Sequence, residues 1–280
     1  MLNIGLLFKI YLNDKDIIME ELYKLGKEFQ VTFYELNKDK QMHENCITIP
    51  KHPKTDFILC FGGDGTMLRS MGYSLLHQAP VLGVNLGKVG FLSDTSLKDL
   101  KKSIYALVNK KYRIENRMLL DIQAFRGHET IFKGIALNEI VLFKGNNSKL
   151  INLRLYANRQ YVYEVRSDGL VICTPTGSTA YSLSAGGPIC SSAMKAIIAT
   201  PLNPHILTVR PFVFDKDEII EIRIPAKQQV YLQTDGNSRC ELQYQDKIII
   251  KKSKETIKFV KLTQKTFYRI LRKKLQMGKI

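Results

Sequence analysis

The apolar run Phe57-Ile58-Leu59-Cys60-Phe61 stops at Gly62-Gly63-Asp64-Gly65-Thr66, and a helical pattern opens at once with Met67-Leu68-Arg69. Strand, tight turn and helix in that order constrain the fold more than any other stretch of the chain. Glycines let a backbone or a ligand come close to the turn. The start of the helix offers unpaired N–H groups and the positive end of its dipole, which suit a phosphate. A carboxylate in such a turn repels phosphate, so Asp64 marks the turn for handling a proton or a metal. The turn lacks the Gly-Lys-Ser/Thr of a Walker A loop and the Gly-x-Gly-x-x-Gly of dinucleotide sheets.

Strand and helix patterns alternate up to about residue 110, which predicts an open α/β layer with a mostly parallel sheet. Strands are expected at Asn3–Phe8, Val31–Leu36, Phe57–Phe61 and Val81–Asn85, and helices at Asp16–Phe29, Thr66–Leu76 and Leu97–Val108. Beyond about residue 117 the pattern becomes short strands with turns, as in a β-sandwich. Ile135–Phe143, Leu150–Ala157, Gln160–Val165, Leu170–Thr174, His205–Val209, Glu218–Ile224 and Lys247–Lys251 are among them, with a short helix near Ala180–Leu183. Thr266–Leu275 reads as an amphipathic helix with Phe267, Ile270, Leu271 and Lys274 on one side. The expected division is an N-terminal α/β nucleotide-binding domain over 1–116, a C-terminal β-sandwich domain over 117–257, and a tail over 258–280 that returns to the first domain.

The 280 residues carry a formal charge of +16, which steers anions of any kind. The densest basic stretch runs from Lys247 to Lys274. Binding of nucleic acid there calls for interleaved aromatics, and only Phe259, Phe267 and Tyr268 are present, so the run reads as a solvated face. No apolar run is long enough to span a bilayer, and Met1–Phe8 reads as a first strand, not a signal peptide. Five scattered cysteines point to reduced thiols and a cytoplasmic chain. His43, Cys46 and His52 match no closed zinc spacing, and Asn146-Asn147-Ser148 fits a glycosylation acceptor without meaning for a cytoplasmic protein.

Three further stretches carry chemistry. Gly83–Leu92 places a second glycine turn after the next strand, so both turns fall along the edge of a parallel sheet where ligands bind. Asn138-Glu139 sets an amide beside a carboxylate in an otherwise apolar segment, where unpaired polar groups cost free energy; the pair suits a ribose diol or a base edge, or else forms a strand-end bulge in water. Thr174–Pro188 is rich in hydroxyls and small residues and includes Tyr181, a flat face for a base. It contains no nucleophile elbow and no Ser-x-x-Lys, which argues against a serine hydrolase.

Gly62-Gly63-Asp64-Gly65-Thr66, Asn85–Leu92, Leu137-Asn138-Glu139, Thr174–Tyr181, His205–Pro211 and Asp235-Gly236 occur in the order found in NAD kinases, and the chain resembles that family over nearly its whole length. The Gly-Gly-Asp element alone is shared with diacylglycerol kinases, sphingosine kinases and phosphofructokinases; the Asn-Glu and Thr-Gly-Ser-Thr-Ala-Tyr elements separate NAD kinases from these. The resemblance implies a Rossmann-like N-terminal α/β domain of the phosphofructokinase-like superfamily, a C-terminal all-β sandwich-like domain, and a tail that rejoins the first domain. It implies transfer of the γ-phosphate of ATP, or a phosphate of inorganic polyphosphate, to the 2′-hydroxyl of the adenosine ribose of NAD, giving NADP. A divalent cation, Mg²⁺ or Mn²⁺, is implied, with no ligands for it assigned. So is a homodimer or homotetramer in the cytoplasm, with neither nucleic acid nor membrane as a partner.

By the same resemblance Asp64 is the general base. Gly62, Gly63, Gly65 and Thr66 bind phosphate. Asp64, Gly65, Arg69, Asn138, Glu139, Lys149, Arg166, Asp168, Thr179, Ala180, Tyr181, Ser182, Leu183, Ser184 and Asn237 contact NAD, with Thr179, Ala180, Tyr181 and Ser184 lining the adenine pocket. Two positions depart from the family pattern: Asn237 stands where Gln is usual, one methylene shorter, and Ser167 stands where Gly is common. The alternatives are a lipid or sugar kinase of the same superfamily, and a non-catalytic nucleotide sensor or nucleic-acid binder motivated by the basic tail.

Overall fold

The computed structural model describes residues 1–36, 54–87, 90–146, 148–264 and 266–276. His43, Cys46, His52, Lys88, Val89 and Asn147, all singled out above, lie outside them. In chain order the elements are β1 (Leu2–Phe8), α1 (Lys15–Phe29), β2 (Val31–Glu35), β3 (Phe57–Phe61), α2 (Asp64–His77), β4 (Val81–Asn85), β5 (Thr95–Ser96) and α3 (Leu100–Val108). There follow β6 (Arg113–Arg126), β7 (Glu129–Ala136), β8 (Glu139–Phe143), β9 (Ile151–Ala157), β10 (Gln160–Ser167), β11 (Gly169–Cys173) and α4 (Tyr181–Ser184). The chain continues through β12 (Ala196–Leu202), β13 (Phe212–Asp215), β14 (Ile220–Arg223), β15 (Val230–Thr234), β16 (Ser238–Leu242), β17 (Lys247–Lys261) and α5 (Phe267–Leu275). It divides into two compact units, one of Met1–Asn116 with the chain from Ile257 on, the other of Arg117–Thr256.

In the first unit β2, β1, β3, β4 and the end of β17 lie side by side and parallel. Strands β3 and β4 are buried along their whole length, as parallel strands covered on both faces must be. Ile4, Leu6, Phe8, Leu59, Phe61, Leu82 and Val84 form one face of the core with Ile18, Leu22 and Leu25 of α1 and Leu100, Ile104 and Leu107 of α3. The spacing of those helical residues keeps them on one stripe. Gly83, on the opposite face, leaves room for Met67 of α2. Helix α2 starts at Asp64, two residues before the expected Thr66, with Gly63 as N-cap. A carboxylate in the first turn favours that start by opposing the helix dipole. The expected helix Leu97–Val108 opens with a 3₁₀ turn over Leu97–Asp99.

The second unit is a two-layer β structure. One layer holds β10, β9, β14 and β17, with β6 pairing to β17 and β7; the other runs β13-β12-β11-β8-β15-β16 and is antiparallel throughout. Leu120, Leu153, Leu155, Ile222 and Ile248 of the first layer meet Ile140, Leu142, Ile172, Ile197 and Leu232 of the second in one core.

Several expected elements are corrected. The strand predicted over Ile135–Phe143 is broken at Leu137-Asn138, because those N–H groups leave the ladder for the Asp235 carboxylate. His205–Val209 is a turn closed by Val209 N–H to the Ile206 carbonyl; Ile206 and Leu207 are 52% and 77% exposed, and of its apolar residues Val209 packs on the core. Strands β12, β13 and β16 were not expected. Pro201 disguises β12, a buried strand; it stands opposite Leu170 of β11 and past Ala199, where the pairing with β13 ends. The short helix expected near Ala180–Leu183 is present as α4, preceded by a 3₁₀ turn over Thr176–Thr179.

Candidate functional site

Both glycine turns follow adjacent parallel strands, β3 and β4, and they meet. Gly62 N–H donates to the Val84 carbonyl at 3.0 Å. The Asp64 carboxylate then accepts N–H from the second loop: Phe91 to Oδ2 at 2.9 Å and Leu92 to Oδ1 at 3.0 Å. A Cβ built on Gly90 would overlap that carboxylate, so only glycine lets the loop close over Asp64. By contrast, a Cβ on Gly63 or Gly65 would meet no described atom within 4 Å. Space beside an open helix N-terminus is what an incoming phosphate needs. Arg69, one turn further along α2, donates from Nη2 to the Phe8 carbonyl at 2.8 Å. Each Asp64 oxygen keeps a lone pair beyond its backbone bond. The group is therefore oriented and still able to accept a proton.

In the second unit a carboxylate again gathers backbone N–H groups. Asp235, in the left-handed region at φ 46°, accepts from Leu137 at 2.8 Å, Asn138 at 2.9 Å and Glu139 at 3.0 Å, and returns its own N–H to the Glu139 carbonyl. The Thr174–Tyr181 stretch packs on the same bend. Thr174 N–H reaches the Asn138 carbonyl at 2.9 Å, and a Cβ on Gly177 would overlap that peptide. Arg117 donates to Thr176 Oγ1 at 3.2 Å.

Glu139 sits beside Asp235 with its Oε2 buried and without a hydrogen-bond partner among the described residues. Burial first, and the Asp235 charge second, push its carboxyl up to about 7 against a backbone hydrogen bond from Tyr181. Burial also raises Asp235, opposed by its three N–H donors. The three N–H donors around Asp235 favour its charged form, so of the two carboxyls Glu139 is the more readily protonated.

A cavity of about 300 Å³ opens near α4, lined by Lys144, Asp168, Tyr181, Ser184 and Asn203 among others. Lys144 Nζ lies 2.7 Å from Asp168 Oδ1, and Asn203 donates to Oδ2 at 2.9 Å. The Lys144 hydrogen bond, then that of Asn203, hold the Asp168 carboxyl below the usual range. Tyr181 is 45% exposed and is among the residues that line this space.

The sequence-predicted residues thus fall into groups. Gly62, Gly63, Asp64, Gly65, Thr66 and Arg69 share the β3–α2 junction. Asn138, Glu139, Thr179, Ala180 and Tyr181 share the bend around Asp235, where Asn237 is exposed in the turn that follows. Asp168 and Ser184 line the cavity. Arg166 is exposed, and its carbonyl accepts His205 N–H at 2.8 Å. Ser182 is buried and bonded to Thr200 Oγ1 at 2.8 Å, Leu183 is half-buried, and Lys149 is exposed. Sequence reasoning passed over Lys144, Asn203 and the side chain of Asp235. The left-handed Asp235-Gly236 turn is the one local signal that marks the last of these.

Two family matches cover most of the chain: the ATP-NAD kinase N-terminal domain over residues 8–112 and the ATP-NAD kinase C-terminal domain over residues 137–262. The chain is 38% identical over 227 residues to an NAD kinase of Nitrosomonas eutropha, covering 81% of this chain and 77% of that one. It is 37% identical over 222 residues to an NAD kinase of Desulforamulus reducens, covering 79% and 77%. Among solved structures, yeast NADH kinase complexed with NADH superposes with a TM-score of 0.86 at 28% identity, covering 100% of this chain and 89% of that one. An NAD kinase from Archaeoglobus fulgidus in complex with ATP shares the fold, with a TM-score of 0.74 at 24% identity over 98% and 99% of the two chains.

Proposed function

We propose, from the premise that this chain belongs to the NAD kinase family, a division of labour among its residues in the ATP-dependent phosphorylation of NAD to NADP. Asp64 is the general base. The ribose 2′-oxygen of NAD forms a bond to the γ-phosphorus, the bond from that phosphorus to the β–γ bridging oxygen breaks, and ADP leaves. A carboxylate is too weak a base to deprotonate a sugar hydroxyl outright. In a loose phosphoryl-transfer transition state the proton leaves late, so Asp64 orients the hydroxyl and takes its proton as the new bond forms. The observation that carries this reading is the clamp from Phe91 and Leu92, which fixes both carboxylate oxygens while leaving lone pairs open.

Gly62, Gly63, Gly65 and Thr66 receive the phosphates at the start of α2, and Arg69 adds positive charge one turn along. The turn at the start of α2 offers partners for phosphate and none specific for a nucleoside, so the reading extends to inorganic polyphosphate as donor. Asn138 and Glu139 hold the adenosine ribose. Thr179, Ala180, Tyr181 and Ser184 line the adenine pocket, and Arg166 and Asp168 serve the other end of the dinucleotide. Among the described residues no group of three His, Cys, Asp or Glu side chains is placed to hold a metal. A divalent ion, Mg²⁺ or Mn²⁺, would neutralise charge on the phosphates of ATP, and no ligand for it is assigned to this chain. Among the described residues no helix is long and apolar enough to cross a membrane. A cytoplasmic homodimer or homotetramer completes the proposal.

The test is NADP formation from NAD, ATP and Mg²⁺, read with an NADP-specific dehydrogenase, in the wild type and in Asp64→Asn. Steady production that the substitution abolishes while NAD still binds supports the assignment. Undiminished turnover in Asp64→Asn removes Asp64 from the role.

A further inference from the structure

The loop that clamps Asp64 is itself held from its other end. Asp94, 3% exposed, points its carboxylate at the returning C-terminal segment. Oδ2 accepts N–H from Leu262 at 2.7 Å and from Thr263 at 3.0 Å, and Oδ1 accepts the Thr263 hydroxyl at 3.3 Å. Lys261 Nζ, on a side chain only 7% exposed, stands 3.6 Å from Oδ1 and 3.9 Å from Glu115 Oε2. Asp94 N–H donates to the Gly83 carbonyl on β4 at 3.0 Å. A buried charge pair is retained only when its remaining lone pairs and protons are satisfied, and here Asp94 collects donors from three consecutive residues of the chain's end.

Only Ser93 separates Asp94 from Leu92, the residue whose N–H holds Asp64 Oδ1. Leu92 and Ser93 are 4% and 3% exposed, so the connection has little slack with which to absorb a shift. The C-terminal segment touches the loop a second time. Helix α5 is anchored by buried Ile270 and Leu271 and capped by Thr266, which accepts Arg269 N–H at 3.3 Å. From it Lys274 places Nζ 5.7 Å from the centre of the Phe91 ring, and Phe91 N–H holds Asp64 Oδ2. Both residues that clamp Asp64 are therefore backed by the C-terminal return, Leu92 through Asp94 and Phe91 through Lys274.

We infer that the C-terminal return positions Asp64 for phosphoryl transfer, with Asp94 as the principal positioning residue and Lys274 as a lesser one. This rests on the reading of Asp64 as base. It gives the basic tail a role that charge alone did not assign.

The test measures kcat and KM per folded molecule for Asp94→Asn, Asp64→Asn and the double variant, with the folded fraction taken from denaturation curves. Misplacing a reacting group by a fraction of an ångström lowers kcat by about tenfold while leaving binding nearly intact, so Asp94→Asn is expected to lose about tenfold in kcat with KM for NAD within about twofold. In the Asp64→Asn background the same change is expected to cost nothing further, because residues acting through one another are not additive. Unchanged kcat in folded Asp94→Asn, or an equal loss in both backgrounds, overturns the proposal while leaving Asp64 as base. Full turnover in Asp64→Asn overturns the base reading, and this proposal with it. If Asp94→Asn does not fold, Lys274→Gln decides: its side chain is exposed, and about a twofold loss of kcat confined to the Asp64 background is expected for a weak ring contact. No loss, or a loss in both backgrounds, overturns the proposal.

Discussion

Asp64 in the α/β unit and Asp235 in the β unit are held by the same device, a carboxylate around which a loop bends its backbone N–H groups, yet the two serve opposite ends. Asp64 takes two such bonds at the start of a helix with open space beside Gly63 and Gly65. Asp235 takes three, is closed in by the Thr174–Tyr181 stretch, and stands next to a second carboxylate. One arrangement leaves lone pairs facing room for a substrate. The other uses a charge to hold a bend, and the bend presents Asn138 and Glu139. Identical local chemistry thus reads as reactive or architectural according to what surrounds it.

The sharpest way to break that comparison is to neutralise each aspartate in turn. Asp64→Asn is expected to lower kcat by about 10²–10⁴-fold, the usual worth of a positioned base, with the dissociation constant for NAD little changed by calorimetric titration. Asp235→Asn replaces an acceptor by an amide NH₂ facing N–H donors, and it is expected to cost about 2–4 kcal/mol of stability in urea denaturation. Kinetic damage without destabilisation at Asp235, or the reverse at Asp64, would show that the two sites had been assigned the wrong way round.

Glu139 sharpens the comparison through pH. Its carboxyl is raised from an ordinary 4.5 to about 7 in the folded protein, so between those values the native state binds more protons than the unfolded chain. Stability from this group is therefore greatest below pH 4.5, falls as pH rises through the window, and levels off above 7. Glu139→Gln removes the penalty. It is expected to be more stable than the wild type at pH 8 by up to about 3 kcal/mol, with the difference vanishing near pH 4. It is also expected to bind NAD more weakly if Glu139 holds the adenosine ribose as proposed. A stability difference independent of pH would mean that Glu139 is charged in the folded protein at neutral pH.

These contrasts also explain what was legible in the sequence. The glycine turns after β3 and β4 and the Thr174–Tyr181 stretch are local, and each announces itself within about a dozen residues of chain. The parallel sheet was readable because strands buried on both faces leave continuous apolar runs. The holding partners were not readable. Asp235 reaches back 98 residues to Leu137, and Asp94 reaches forward 168 to Leu262, and in both cases the partner is a backbone N–H with no side-chain signature. Lys261 looked like one more member of a solvated basic run, yet it is buried against Asp94. Lys247–Lys251 was expected as a strand, but β17 runs on to Lys261: the inward positions shift from Ile248 and Ile250 to Ser253, Ile257 and Phe259, a change of alternation that, with the lysines between, hid the continuation. Asn203 and Lys144 meet Asp168 only because β11 pairs with β8 on one side and β12 on the other.

The smallest expected effect separates glycines that make room for the protein from glycines that make room for something else. Gly90 is filled by Asp64, whereas Gly63 faces no described atom within 4 Å where a Cβ would stand. Gly63 has φ −95° and ψ −168°, an extended conformation that alanine adopts without strain. Gly63→Ala is therefore expected to leave stability within about 0.5 kcal/mol of wild type. The added methyl would stand where phosphate approaches the start of α2, and crowding there of about 1.4 kcal/mol raises KM for ATP by about tenfold. KM for NAD should move less, since of the partners proposed for the dinucleotide only Asp64, Gly65 and Arg69 belong to this turn and its helix. Parallel rises in both constants would assign the space beside Gly63 to the acceptor as much as to the donor. An unchanged KM for ATP would mean that the open face of this turn is not where phosphate binds, and that the contrast between Gly63 and Gly90 reflects packing alone.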